Sequence, residues 1–108
     1  MSDGRPGRGD IYTHAPAGRT RHLLVISVDM LTEAGTAIVV QVDDTAPQSG
    51  LQALLVVPLD GDWDGWHVKA WHLNYINTDR LAAGGKAGAV DADTLHRVIL
   101  AVKAAIEP

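Results

Sequence analysis

The run Leu23-Leu24-Val25-Ile26 restricts this chain more than any other segment. Four consecutive apolar residues, half of them β-branched, read as a strand, and a strand apolar at every position needs cover on both faces. The run is entered directly from Arg21-His22, so a cation stands at the lip of whatever core the strand builds. A shorter strand precedes it in Gly9-Asp10-Ile11-Tyr12, opened by a glycine and an acid. With 108 residues the chain is expected to form one domain. At that size it buries about 65% of its unfolded surface, enough for one core without staples.

The absence of cysteine rules out disulfides and thiolate metal sites and fits a cytoplasmic location. No run approaches the ~20 apolar residues of a membrane span. Residues 1–8 lack the apolar stretch of a signal peptide and read as a short flexible arm before a domain at 9–108. The net charge is −4. Up to His22, Arg5, Arg8, Arg19 and Arg21 outnumber Asp3 and Asp10, whereas acids prevail in the rest. A basic front on an acidic body can focus a polyanion onto one surface, although short arms are often basic for no special reason.

Periodicity and turn chemistry predict strands at Asp10–His14, Arg21–Val28, Thr36–Val42, Leu51–Pro58 and Gly65–Tyr75, with Lys86–Val90 as a short last strand. Asp29–Gly35 reads as a helical turn closed by glycine, Asp43–Gly50 as a polar loop and Asp60–Gly65 as an acidic turn. Asp91 is a good helix cap, and Leu95, Val98, Ile99, Val102 and Ile106 then follow on one helical stripe. Short strands with one terminal helix imply a mainly β (α+β) domain, a small bent antiparallel sheet or barrel with the helix packed on it.

The two opening segments resemble the start of the MazF/PemK (Kid-like) family of toxin ribonucleases. That family begins with a Gly-Asp/Glu-Ile-aromatic strand and continues Arg-Pro-Val-Leu-Val-Val-Ser. Arg21 stands at the family arginine, and His22 replaces the proline. Gly35-Thr36-Ala37-Ile38-Val39-Val40-Gln41-Val42 is similar to the family's third strand. Ile76-Asn77-Thr78-Asp79-Arg80-Leu81 is similar to a shortened form of its Ile-Arg-Thr-Val-Asp-Lys-x-Arg-Leu stretch, and the closing helix matches in place. The resemblance covers Gly9 to Ile106. It implies an SH3-like or CcdB-like barrel, a homodimer and a cognate antitoxin. It also implies sequence-selective, metal-independent cleavage of single-stranded RNA in the cytoplasm, with no cofactor.

In that chemistry the RNA 2′-hydroxyl attacks the adjacent phosphate, which requires a base, an acid and a cation at the phosphorane. Arg21 fits the cation, because guanidinium binds phosphate oxygens bidentately; a rim arginine in a surface ion pair would look the same. Strict alternation in Trp71-His72-Leu73-Asn74-Tyr75 puts His72 and Asn74 on one face, where the family often carries an arginine and an acid. His72 can exchange protons near neutrality; Asn74 cannot. The family's phosphate-contacting threonine aligns with Asp43, followed by Asp44, with Thr45 within one residue of slippage. The resemblance thus nominates Arg21, His72, Asp43 and Thr45 as catalytic. Asp10, His14, Arg19 and Asn74 are nominated for substrate binding.

Two alternatives belong to other classes. One is a non-catalytic module retaining only dimer or partner contacts. The other is a CcdB-like gyrase-binding toxin, against which the extreme C-terminus, Ala104-Ala105-Ile106-Glu107-Pro108, offers no aromatic residue. Asp60-Gly61-Asp62-Trp63-Asp64-Gly65 matches the first half of a calcium loop. The twelfth position is Trp71 rather than glutamate, so an acidic turn is the better reading. Trp63 and Trp66 suit base stacking, or packing at the barrel mouth or a dimer interface.

Overall fold

Six strands form one antiparallel sheet: β1 (Asp10–His14), β2 (Arg21–Val25), β3 (Thr36–Asp43), β4 (Val56–Pro58), β5 (His67–Asn77) and β6 (Lys86–Ala89). Their order across the sheet is β4-β5-β3-β2-β1-β6. The structure is a computed structural model and describes residues 5–106. Residues 1–4 of the expected arm lie outside the described residues. So do Glu107 and Pro108, which bear on the gyrase-binding alternative.

The apolar run of β2 is covered on both faces. Leu24 and Ile26 enter one core with Ile11, Val40, Val42, Val68, Val98 and Val102. Leu23 and Val25 enter a second with Tyr12, Ala37, Val39 and Leu81. Leu24 and Val25 are fully buried, each worth roughly 1.5–3 kcal/mol relative to exposure. The first core is closed by the long helix α4 (Ala92–Ile106), the second by Leu81 of the short helix α3 (Thr78–Ala83).

Asp91 caps α4 by accepting the Thr94 N–H at 2.8 Å. Val98 and Val102 of the expected stripe are buried, and Leu95 and Ile99 pack partly buried against the same core. Ile106, in the last turn, is exposed. The sheet curls until its edges face each other. Trp63, in a 3-10 turn at Gly61–Trp63, lies so close to β6 that a Cβ added to Gly88 would sit 2.4 Å from the indole Nε1. Trp63, Trp66 and His22 form a mutual edge-to-face cluster, with ring centroids 4.9 to 5.4 Å apart. The tryptophans therefore pack the mouth of the curled sheet.

Several expected boundaries are corrected. The strand expected over Leu51–Pro58 survives only as β4. Gly50–Ala53 is instead a helical turn, α2. Ser49 Oγ accepts the Gln52 N–H at 3.1 Å, and Gln52 Oε1 accepts the Gln48 N–H at 2.8 Å, so local capping outcompetes a short apolar run. Helix α3 was not expected. Asn77 caps it through the Arg80 N–H at 3.2 Å. A chain of buried hydroxyls ties it to α1 (Asp29–Glu33) and β3. Thr78 Oγ1 donates to the Thr32 carbonyl at 2.7 Å, the Thr32 and Ser27 hydroxyls meet at 2.7 Å, and Ser27 Oγ accepts the Ile38 N–H at 3.1 Å. Ahead of β1, Pro6 is buried, and Arg8 donates from its backbone to Asp29 Oδ1 and from Nε to the Ile26 carbonyl, both at 3.1 Å. Among the described residues no helix is long and apolar enough to cross a membrane.

Candidate functional site

His14 ends β1 and Arg21 begins β2, and the two are direct partners in the antiparallel register. Such partners share a face, with Cβ atoms about 5 Å apart. Their face is that of Tyr12, Leu23 and Val39, over which Asn74 lies because β5 pairs it with Val39. The result is a cleft of about 370 Å³. Leu23, Val39 and Ile76 line it as apolar wall, and His14, Arg21, Asn74, Asn77 and Arg80 supply its polar groups. Arg80 reaches it from α3. Among the described residues that line this cleft none is an acid, on a chain whose net charge is −4. Neither Arg21 nor Arg80 is in an ion pair with another described residue. Two uncommitted guanidiniums beside an imidazole favour an anion.

Three of the sequence-nominated residues, Arg21, His14 and Asn74, thus line one cleft. The others are placed elsewhere. His72 does not share the Asn74 face in the way strict alternation requires. The β3–β5 register steps from Gln41↔Lys69 to Val40↔Leu73, leaving three residues of β5 bulged out, and His72 is the last of them. It is exposed, against the Trp71 ring at 5.6 Å, and does not line the cleft. Asp10 stands at the far end of β1 from His14, about 13 Å along the strand. There it accepts the Gly7 N–H at 2.9 Å and pairs with Lys86 at 3.1 Å, so it orients neither Arg21 nor His72. Arg19 is exposed on the turn before β2, its N–H bound to the Pro16 carbonyl.

Asp43 borders a second cleft of about 250 Å³ that also touches Arg21, but its ionic partner is Lys69, at 3.2 Å. Lys69 is 4% exposed, its ammonium bound also to the Thr45 carbonyl and 5.8 Å from the centre of the Trp71 ring. Gln41 Nε2 and the Thr45 N–H donate to the two Asp43 oxygens at 3.0 and 3.1 Å. Partial burial pushes the Asp43 carboxyl up. Hydrogen bonds from Gln41, Lys69 and Thr45, with the Lys69 charge, outweigh that and hold it below the usual carboxylate range. Thr45 is exposed and serves this network through its backbone. Among the described residues no group of three or more His, Asp or Glu side chains could hold a metal ion.

Sequence reasoning missed Arg80 and Lys69. Asn77-Thr78-Asp79-Arg80 carries a helix-cap signal, and a helix there returns Arg80 towards β1 and β2. Lys69 is the one cation of β5, a sign of a buried partner in a strand otherwise so apolar at that end.

No protein-family model matches this chain, and no curated relative does. Solved structures do. An endoribonuclease in complex with its cognate antitoxin, from a mycobacterial species, superposes with a TM-score of 0.80 at 20% identity, over 95% of this chain and 97% of that one. A MazE–MazF complex from Deinococcus radiodurans gives a TM-score of 0.79 at 18% identity, over 95% and 96%. The Mycobacterium tuberculosis toxin MazF-mt6 gives 0.72 at 17%, over 91% and 96%. Across nearly its whole length, therefore, this chain has the fold of the MazF toxins.

Proposed function

We propose that this protein is the toxin of a type II toxin–antitoxin pair, acting as a sequence-selective, metal-independent endoribonuclease on single-stranded RNA. The observation that carries the reading is the acid-free cleft holding Arg21, Arg80 and His14 on a fold shared with endoribonucleases. Cleavage needs no external nucleophile. The 2′-oxygen bonds to phosphorus as the bond to the 5′-oxygen breaks, leaving a 2′,3′-cyclic phosphate and a 5′-hydroxyl. One proton leaves the 2′-hydroxyl and one reaches the departing oxygen. Arg21 holds the phosphate and the charge that grows on it. His14, directly opposite, handles a proton, the role the sequence had offered to His72. The partners in this reading are a second copy of the chain and a cognate antitoxin, and the site of action is the cytoplasm. The mycobacterial endoribonuclease was solved with its own antitoxin.

Incubating the purified protein with a long mixed-sequence RNA in EDTA tests the reading. Defined fragments should appear, and Arg21→Ala should slow cleavage on the order of 10²–10³-fold. Arg21→Lys should recover only part, since a point charge loses the bidentate geometry. Intact RNA throughout would favour a non-catalytic module instead. One observation favours that second reading: Asp43, at the position of the family's phosphate-contacting threonine, is committed to Lys69.

A further inference from the structure

The smaller cleft on the other side of Arg21 has a composition the cleavage chemistry does not use. Trp66 and His22 form one wall, and Gln41, Asp43 and Asp44 bring polar groups to it. The Trp66 ring is held in place by edge-to-face contacts to His22 at 4.9 Å and to Trp63 at 5.2 Å, a rigid apolar wall beside a cation. Rigid aromatic faces next to phosphate-binding arginines are where unstacked RNA bases settle.

The polar groups offer mostly acceptors. Lys69, Gln41 and the Thr45 N–H occupy Asp43. Gln41 donates one N–H of its Nε2 to Asp43, which orients the amide and leaves its Oε1 free to accept beside the second Nε2 N–H. Asp44 is exposed and has no hydrogen bond or ion pair to another described residue. A cleft with a free carboxylate and an amide oxygen suits a base rich in donors. Guanine presents N1–H and N2–H side by side, matching both oxygens of one carboxylate. Adenine and cytosine offer one amino group there, and uracil one imino group.

We propose that this cleft is a nucleobase subsite selecting guanine, stacked on Trp66 and paired through its N1–H and N2–H to Asp44, while Arg21 holds the adjoining phosphate. The inference rests on the RNA reading above and deepens it to a base preference. The second acid of the Asp43-Asp44 pair, a liability towards phosphate, then becomes the reader of the base.

The test uses the full chain and four uncleavable, fully 2′-O-methylated uridine heptamers whose central base is G, A, C or U, titrated with tryptophan fluorescence as readout. The guanine heptamer should bind roughly ten-fold or more tighter than the others. Asp44→Asn, an exposed and nearly isosteric change, should bring the four affinities within about three-fold of one another. Trp66→Ala should weaken binding of the guanine heptamer, with Trp66→Phe recovering much of it. Binding without base preference, or a guanine preference that survives Asp44→Asn, overturns the subsite and leaves the ribonuclease reading standing. Failure of every heptamer to bind overturns the subsite; RNA cleavage in EDTA, scored separately, decides the ribonuclease reading.

Discussion

At the scale of single residues the cleft separates two histidines that look alike in sequence. His14 lines the cleft opposite Arg21, whereas His72 stands outside it on the bulge. His14→Ala is expected to lower the cleavage rate by about 10²-fold or more, and His72→Ala to leave it within a few-fold. A loss from His72→Ala with little from His14→Ala would place the proton chemistry at the bulge, and comparable losses from both would overturn the separation of their roles. Asp43 and Lys69 make a second residue-scale case. The Asp43 carboxyl is held below its ordinary range, so its contribution is complete above the unfolded value of about 3.9 and is lost as pH falls through the lower folded value. Asp43→Asn leaves the Lys69 ammonium buried without its counter-charge and is expected to destabilise by roughly 2–3 kcal/mol at pH 7. In urea melts the gap between variant and wild type should narrow below about pH 4. A gap unchanged at pH 3 would mean that the pair contributes nothing ionic.

At the scale of elements, the short helix α3 decides where Arg80 goes, and its exit is tightly fitted. A Cβ added to Gly84 would sit 1.7 Å from the Thr13 carbonyl oxygen, and the next residue, Gly85, accepts the Thr13 N–H. The constraint is steric, since the approaching atoms are backbone and cannot rotate away. Gly84→Ala is therefore expected to cost about 3 kcal/mol, read as a drop in urea midpoint, and to displace α3 from β1. Gly18→Ala adds a Cβ that meets nothing within 4 Å and serves as the contrast, although its φ of 81° carries its own smaller cost. Equal stability of Gly84→Ala and wild type would show that α3 does not seat here. The bulge in β5 works in the same way. It resets which side chains of the strand face Arg21, bringing Asn74 over the cleft and leaving His72 outside it.

At the scale of the whole molecule, the curled sheet with two covered faces still leaves large apolar side chains in solvent. Tyr75 is 75% exposed and Met30 81%. Alongside the family resemblance, this exposure supports self-association. Sedimentation at micromolar concentration is expected to give a species of two chains; a clean monomer would count against the homodimer.

The sequence by itself determined the succession of strand segments along the chain, the doubly covered apolar run at Leu23–Ile26, the Asp91-capped helix and the place of Arg21 at the start of β2, because each depends on periodicity or on a cap within a few residues; the order of the strands across the sheet came only from the fold. Tertiary structure decided the rest. The three-residue bulge has no local signature, and it is what parts His72 from Asn74. Only the fold shows that Asp43 meets Lys69, 26 positions away, rather than Arg21, and that Arg80 from α3 closes the cleft beside His14. These outcomes depend on register and close approach between distant segments, where burial and charge balance outweigh any preference that neighbouring residues express.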